Sequence, residues 1–155
     1  MSTKSPLRKY VLTGSVSVGK TTVIDLLSKQ GFATFPEFSR AIINEELKKE
    51  NGVLPWIDPN IFQDMYAKKQ VAEENEIEKY LTQTRIDGQF SKTIFMDRCI
   101  IDGIAFCQHA KVAIPQEIDE HVQGLRDVGL DYDLIFILEP LDQYHFDEGR
   151  VLKPE

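Results

Sequence analysis

Residues Leu12 to Thr22, "LTGSVSVGKTT", gather two glycines, two serines and a lysine with no bulky side chain among them. The core of this stretch, Gly14-Ser15-Val16-Ser17-Val18-Gly19-Lys20-Thr21, fits the spacing G-x-x-x-x-G-K-[ST]. Each residue type there has a chemical reason. The glycines permit positive φ and let the backbone approach an anion without a Cβ in the way. The N–H groups from Ser17 to Thr21 can then point at phosphate oxygens, helped by the positive end of the helix expected to follow. Lys20 places a cation on β and γ phosphates, and the Thr21 hydroxyl is a ligand for Mg²⁺. The expected contact set is Gly14, Ser15, Ser17, Val18, Gly19, Lys20, Thr21 and Thr22. The expected ligand is ATP with Mg²⁺, with GTP left open.

In an open parallel sheet, ligands sit beyond the carboxyl ends of the strands. Each of the other expected strands ends there in an acid: Glu37, Asp97 and Glu139. Asp97, after "TIFM", is read as the metal-side carboxylate together with Thr21, and Glu139, after "LIFIL", is its rival. Glu37 follows the second strand and could take the proton of an attacking hydroxyl or water; a structural pairing with Arg40 is the alternative. Arg98 and Arg150 are candidates for neutralising charge on the transferring phosphoryl group.

Something must hold these residues together. Apolar runs alternate with helical patterns along 155 residues, 42% of them apolar, which predicts one α/β domain with a parallel sheet. Strands are expected at 9–13, 32–35, 93–96 and 134–138, the last fully buried by composition. Helices are expected at 19–30 (with Val23, Leu26 and Leu27 inward), from a Ser39 N-cap to Asn51-Gly52 (with Ile42, Ile43 and Leu47 inward), and at 59–82. Ile61, Phe62, Met65, Ala72 and Ile77 form the expected inner face of that long helix, opposite a solvated "KKQVAEENEIEK". Two further helices are expected at 100–110 and 115–127. Lys48, Lys49, Glu45, Glu46 and Glu50 read as a solvated helix face.

The net charge of −7 and the lack of a basic block argue against a nucleic-acid partner. No apolar run approaches the roughly 20 residues that span a bilayer, and no apolar leader precedes the first strand, so a cytoplasmic protein is expected. Cys99 and Cys107 are expected on one helix about 12 Å of rise apart, too far for a disulfide. The histidines and cysteines show no metal-ligand spacing.

With those residues placed, the chain resembles a branch of the P-loop NTPases, the AAA-labelled domain shared with the nicotinamide-riboside kinase part of NadR. The resemblance rests on Gly14 to Thr22, "PEFSRAI" (36–42), "FQDMYAKKQVAEE" (62–74), "FMDRCIIDGIAF" (95–106) and "YDLIFILEPLDQYHFDEGR" (132–150). It implies a three-layer fold with sheet order 2-3-1-4, Asp97-Arg98 on the metal side, and Glu37 beside an acceptor pocket lined by Arg40, Gln70 and Asp102. It also implies that Arg150 is the arginine of a lid. Cys99 stands where the family usually has glycine, which would narrow the space near the metal. Relatives continue past the lid into a further helix and a fifth strand, which this sequence lacks. Either the chain is truncated, or the 134–138 edge is covered in a homodimer. Residues 141–155 read as a lid or as a disordered tail.

The functions that follow are a phosphotransferase acting on a nucleoside-like hydroxyl, a nucleotide-dependent regulatory NTPase or switch, and a binding module without chemistry.

Overall fold

Alternation of apolar runs with helices forces parallel strands, because each crossover helix returns the chain to the same end of the sheet. The computed structural model describes residues 8–83, 93–128 and 132–141. Along them run β1 (Arg8–Gly14), α1 (Lys20–Lys29), β2 (Ala33–Phe35), α2 (Ser39–Glu46), α3 (Pro59–Gln83), β3 (Thr93–Asp97), α4 (Ile100–Ala110), α5 (Gln116–Val128) and β4 (Leu134–Leu138). The four strands form one sheet in the order β2-β3-β1-β4, every pairing parallel. This is the order implied by the resemblance. The register sets Leu12 beside Asp97 on one side and Phe136 on the other, so the acid of β3 arrives next to the end of β1.

One face of the sheet buries Val11, Phe35, Ile94 and Met96 against Ala67 of α3, Ile100 of α4 and Ile118 of α5. On the other, α1 packs over β1, β2 and β3. Aromatic rings bridge the strands there: Tyr10 to Phe95 at 5.3 Å, Phe32 to Phe95 at 5.1 Å, and Tyr10 edge-on to Phe136 at 6.4 Å.

Several expectations of burial are corrected. "LIFIL" is not a buried strand: among the described residues β4 pairs only with β1, and Leu134, Ile135, Phe136 and Ile137 are all exposed, Ile137 at 77%. A purely apolar run does not distinguish a central strand from an edge. On α1, Val23 and Leu26 are exposed and Ile24 is the buried apolar residue, because the helix turns its Ile24 side to the sheet. On α2, Ile42 and Ile43 are buried but Leu47 is exposed, and the helix ends at Glu46, short of Asn51-Gly52. Ser39 begins α2 without capping it; Phe38 is the N-cap, and the Ser39 hydroxyl instead donates to Glu37.

Glu46 is not solvated. It is buried, receives Lys49 at 2.5 Å and the Val53 N–H at 2.9 Å, and so ties down the turn after α2. The inner face of α3 is also rotated from the expected one. Phe62, Gln63, Tyr66, Ala67, Gln70 and Glu74 are buried, while Ile61 is exposed. Gln70 and Glu74 come from the segment expected to be solvated. They form a buried set in which the Gln70 amide donates to Glu74 at 2.6 Å and the Tyr132 hydroxyl donates to it at 3.1 Å.

Gly14 has φ +130°, and a Cβ there would lie 2.4 Å from the backbone oxygen of Leu138. Gly14→Ala is therefore expected to destabilise the fold by about 2–4 kcal/mol through strain and overpacking. For a chain of this size that lowers Tm by roughly 10 °C. Thermal unfolding followed by circular dichroism tests this, and a Tm within about 2 °C of wild type would refute it.

Candidate functional site

β1 ends at Gly14, and the chain then passes through a tight loop into the first turn of α1. Positive φ recurs along it, at Gly14 (130°), Ser17 (61°) and Gly19 (89°). At Gly19, the N-cap of α1, a Cβ would meet nothing within 4 Å, so the space in front of the loop is open. No side chain caps α1 and no acid sits in its first turn, so no carboxylate competes for its N–H groups. Residues from Val16 to Thr22 line a cavity of about 510 Å³. This is the backbone arrangement that gathers phosphate oxygens.

Lys20 is buried, and its ammonium donates to the Ser15 carbonyl at 2.6 Å and the Gly14 carbonyl at 3.3 Å. Gly14 and Ser15 thus act behind the cavity wall. Burial, with the like charge of Arg98, lowers the Lys20 pKa to about 8, against the opposing pull of Asp97 and Glu37. The ammonium is held where an anion would complete its solvation.

Asp97 ends β3 and is 2% exposed. Thr21 donates its hydroxyl to one Asp97 oxygen at 3.0 Å, and the other oxygen, Oδ1, has no partner among the described residues. Burial pushes this carboxyl above its ordinary range. A buried carboxylate oxygen without a donor, beside a hydroxyl, suits a hard cation that takes oxygen ligands. Glu139 is exposed and does not reach the cavity wall.

Arg98 turns back from β3 with φ 72°, its N–H still donating to the Leu12 carbonyl at 2.9 Å. Its guanidinium meets Asp102 at 3.2 Å and stacks 5.1 Å from the Phe106 ring centroid, while lining the cavity. Asp102 is fully engaged: it accepts from Thr13, from Arg98 and from the Cys99 N–H at 2.9 Å. It positions Arg98 and does not line the cavity. Gln70, bonded to Glu74, does not line it either. Cys99 is the N-cap of α4, and its thiol is buried in the core cluster with Ala67 and Ile100. Burial raises that thiol to about 12, so it is inert. Both cysteines are free. Arg150 lies outside the described residues, as does the 141–155 segment beyond Leu141, which lies on the cavity wall.

Glu37 and Arg40 share the cavity wall with the phosphate loop. Glu37 is half-buried and accepts from Ser39. Burial raises its pKa above the usual carboxylate range, opposed by Arg98, Lys20 and Arg40. The same cavity has a further stretch of wall that sequence reasoning missed, carrying Trp56, Phe62, Gln63, Tyr66 and Phe106. Only the tryptophan between prolines in "LPWIDP" hinted at it.

A parallel sheet whose central strand runs into a glycine loop and a helix N-terminus defines a P-loop NTPase-type fold, a nucleotide-binding class. Residues 9–155 match the family model described as "AAA domain", and the chain belongs to that family. No curated protein matches the chain. Among the described residues, no helix is long and apolar enough to cross a membrane.

Proposed function

We propose that this domain is a small-molecule phosphotransferase that moves the γ-phosphate of ATP to the hydroxyl of a nucleoside-like acceptor. The observation that carries this reading is Glu37, a carboxylate of raised proton affinity on the wall of the cavity that also holds the phosphate loop. A protein that only holds a nucleotide has no use for a base beside its phosphate loop. The cavity, at about 510 Å³, falls within the range of roughly 300–1,000 Å³ common for ligand sites. The likeness to the nicotinamide-riboside kinase part of NadR supports the same chemistry.

In this mechanism the Lys20 ammonium exchanges its carbonyl partners for β and γ oxygens, and the α1 N–H groups hold the remaining phosphate charge. Thr21 and Asp97 would hold Mg²⁺. When bound, that ion neutralises charge on the β and γ phosphates. Arg98, held by Asp102, meets the equatorial oxygens, and the resemblance assigns Arg150 a matching role. Glu37 takes the proton as the acceptor oxygen bonds to the γ phosphorus. The bond from that phosphorus to the bridging oxygen breaks, and ADP leaves with the electron pair.

ADP release from ATP and from GTP, with and without a panel of nucleosides, tests this. Stimulation by an acceptor is the expected result. Slow release indifferent to every acceptor would refute it and favour a regulatory NTPase.

A further inference from the structure

We infer that the stretch of cavity wall carrying Trp56, Gln63 and Tyr66 selects an acceptor with a flat ring, and that Gln63 and Tyr66 are its specificity-determining residues. This rests on the phosphotransferase reading of the same cavity and adds what the acceptor must look like.

Gln63 and Tyr66 stand one turn apart on α3 and so share a face. They are 7% and 3% exposed, and both line the cavity. The Gln63 Oε1 and the Tyr66 hydroxyl are buried and have no partner among the described residues. Leaving such groups unpaired costs the free protein stability, and a ligand whose polar edge pairs with them recovers it. A ligand lacking that edge gains nothing there, which is how a site built for hydrogen bonds discriminates.

The rest of the wall sets shape and charge. Trp56, Pro55, Pro59, Phe62 and Ile43 supply flat, apolar surface, and Trp56 is 41% exposed in this state. Rings stack on such walls, whereas open-chain polyols do not. The charged side chains of the cavity, Lys20, Glu37, Arg40 and Arg98, act on one another around Glu37.

Trp56 is the chain's single tryptophan, so its emission reports occupancy without turnover. Uridine, adenosine, ribose and glycerol are titrated with saturating Mg-ADP present. The nucleosides are expected to change the emission, and ribose and glycerol are not. Gln63→Leu and Tyr66→Phe should each weaken nucleoside binding about tenfold, while Tm of the unliganded protein holds or rises because a buried unpaired group is gone. A merely structural role would lower Tm and leave affinity alone. The inference is overturned if no nucleoside perturbs Trp56, if glycerol or ribose binds equally well, if ADP displaces the nucleosides, or if both variants bind like wild type. Nucleosides that bind but accept no phosphate would sink phosphotransfer alone; phosphate moved equally well to glycerol would sink this inference alone.

Discussion

Glu37→Gln is expected to lower acceptor-stimulated ADP release by about 10²- to 10⁴-fold, the usual worth of a positioned general base. Nucleotide affinity should change little, because Lys20 and the loop backbone hold the phosphates. Burial raises the Glu37 pKa, so wild-type turnover should fall as pH drops through that raised value, and the variant should lose this limb of the profile. The stability effect has the opposite sense. A carboxyl whose folded pKa is raised binds its proton more tightly in the native state. The fold therefore loses stability as pH rises from the unfolded value through the folded one. Above that window the ionised group burdens the fold, and glutamine removes the burden while still accepting from Ser39. At pH 8 the variant is expected to be inactive yet no less stable than wild type. A variant with normal acceptor-stimulated turnover would show that Glu37 is not the base.

The parts of this molecule that could be read in advance are those coded by neighbours in the chain. The phosphate loop is a single run of eight residues, and its chemistry follows from spacing. The extents of α4 and β4 also stand as expected, since short apolar runs bounded by Asp-Arg-Cys and Glu-Pro have sharp ends. The sheet order came from resemblance, because pairing between distant strands leaves no local mark. The cavity wall was illegible for a related reason: it is assembled from the loop before α3, from α2, α3 and α4, and from Leu141. Its polar members were hidden further. Apolar periodicity placed Ile61 inward and could not find Gln63, Gln70 or Glu74, since a buried amide or carboxylate reads as surface unless its partner is known. Asp102 illustrates the converse. It sits beside the site as expected, but its oxygens are spent on Thr13, Cys99 and Arg98, so it shapes the arginine and faces no acceptor.

Lys20→Met should weaken Mg-ATP binding by about ten- to a hundredfold, the worth of a charge-assisted hydrogen bond to phosphate of about 1.5–3 kcal/mol. It should also change how binding responds to pH. The wild-type ammonium loses its proton near pH 8, because it is withdrawn from water and faces Arg98. Phosphate binds the charged form, so wild-type affinity should decline as pH rises above about 8, with proton uptake on binding. Methionine has no such titration, and its affinity should stay flat across the window. For stability the sign is again set by the depressed pKa. Below about 8 the folded chain carries a buried cation, and stability rises between that value and the ordinary lysine pKa of 10.5, where only the unfolded chain is still protonated. Methionine fills the same space without charge, so the unliganded variant should melt higher than wild type at pH 7. Titration calorimetry in buffers of different ionisation enthalpy reads the proton count, and melting curves read the stability. Unaltered affinity in Lys20→Met, or no proton uptake by wild type at pH 8.5, would mean that this ammonium never leaves the Ser15 carbonyl for a phosphate.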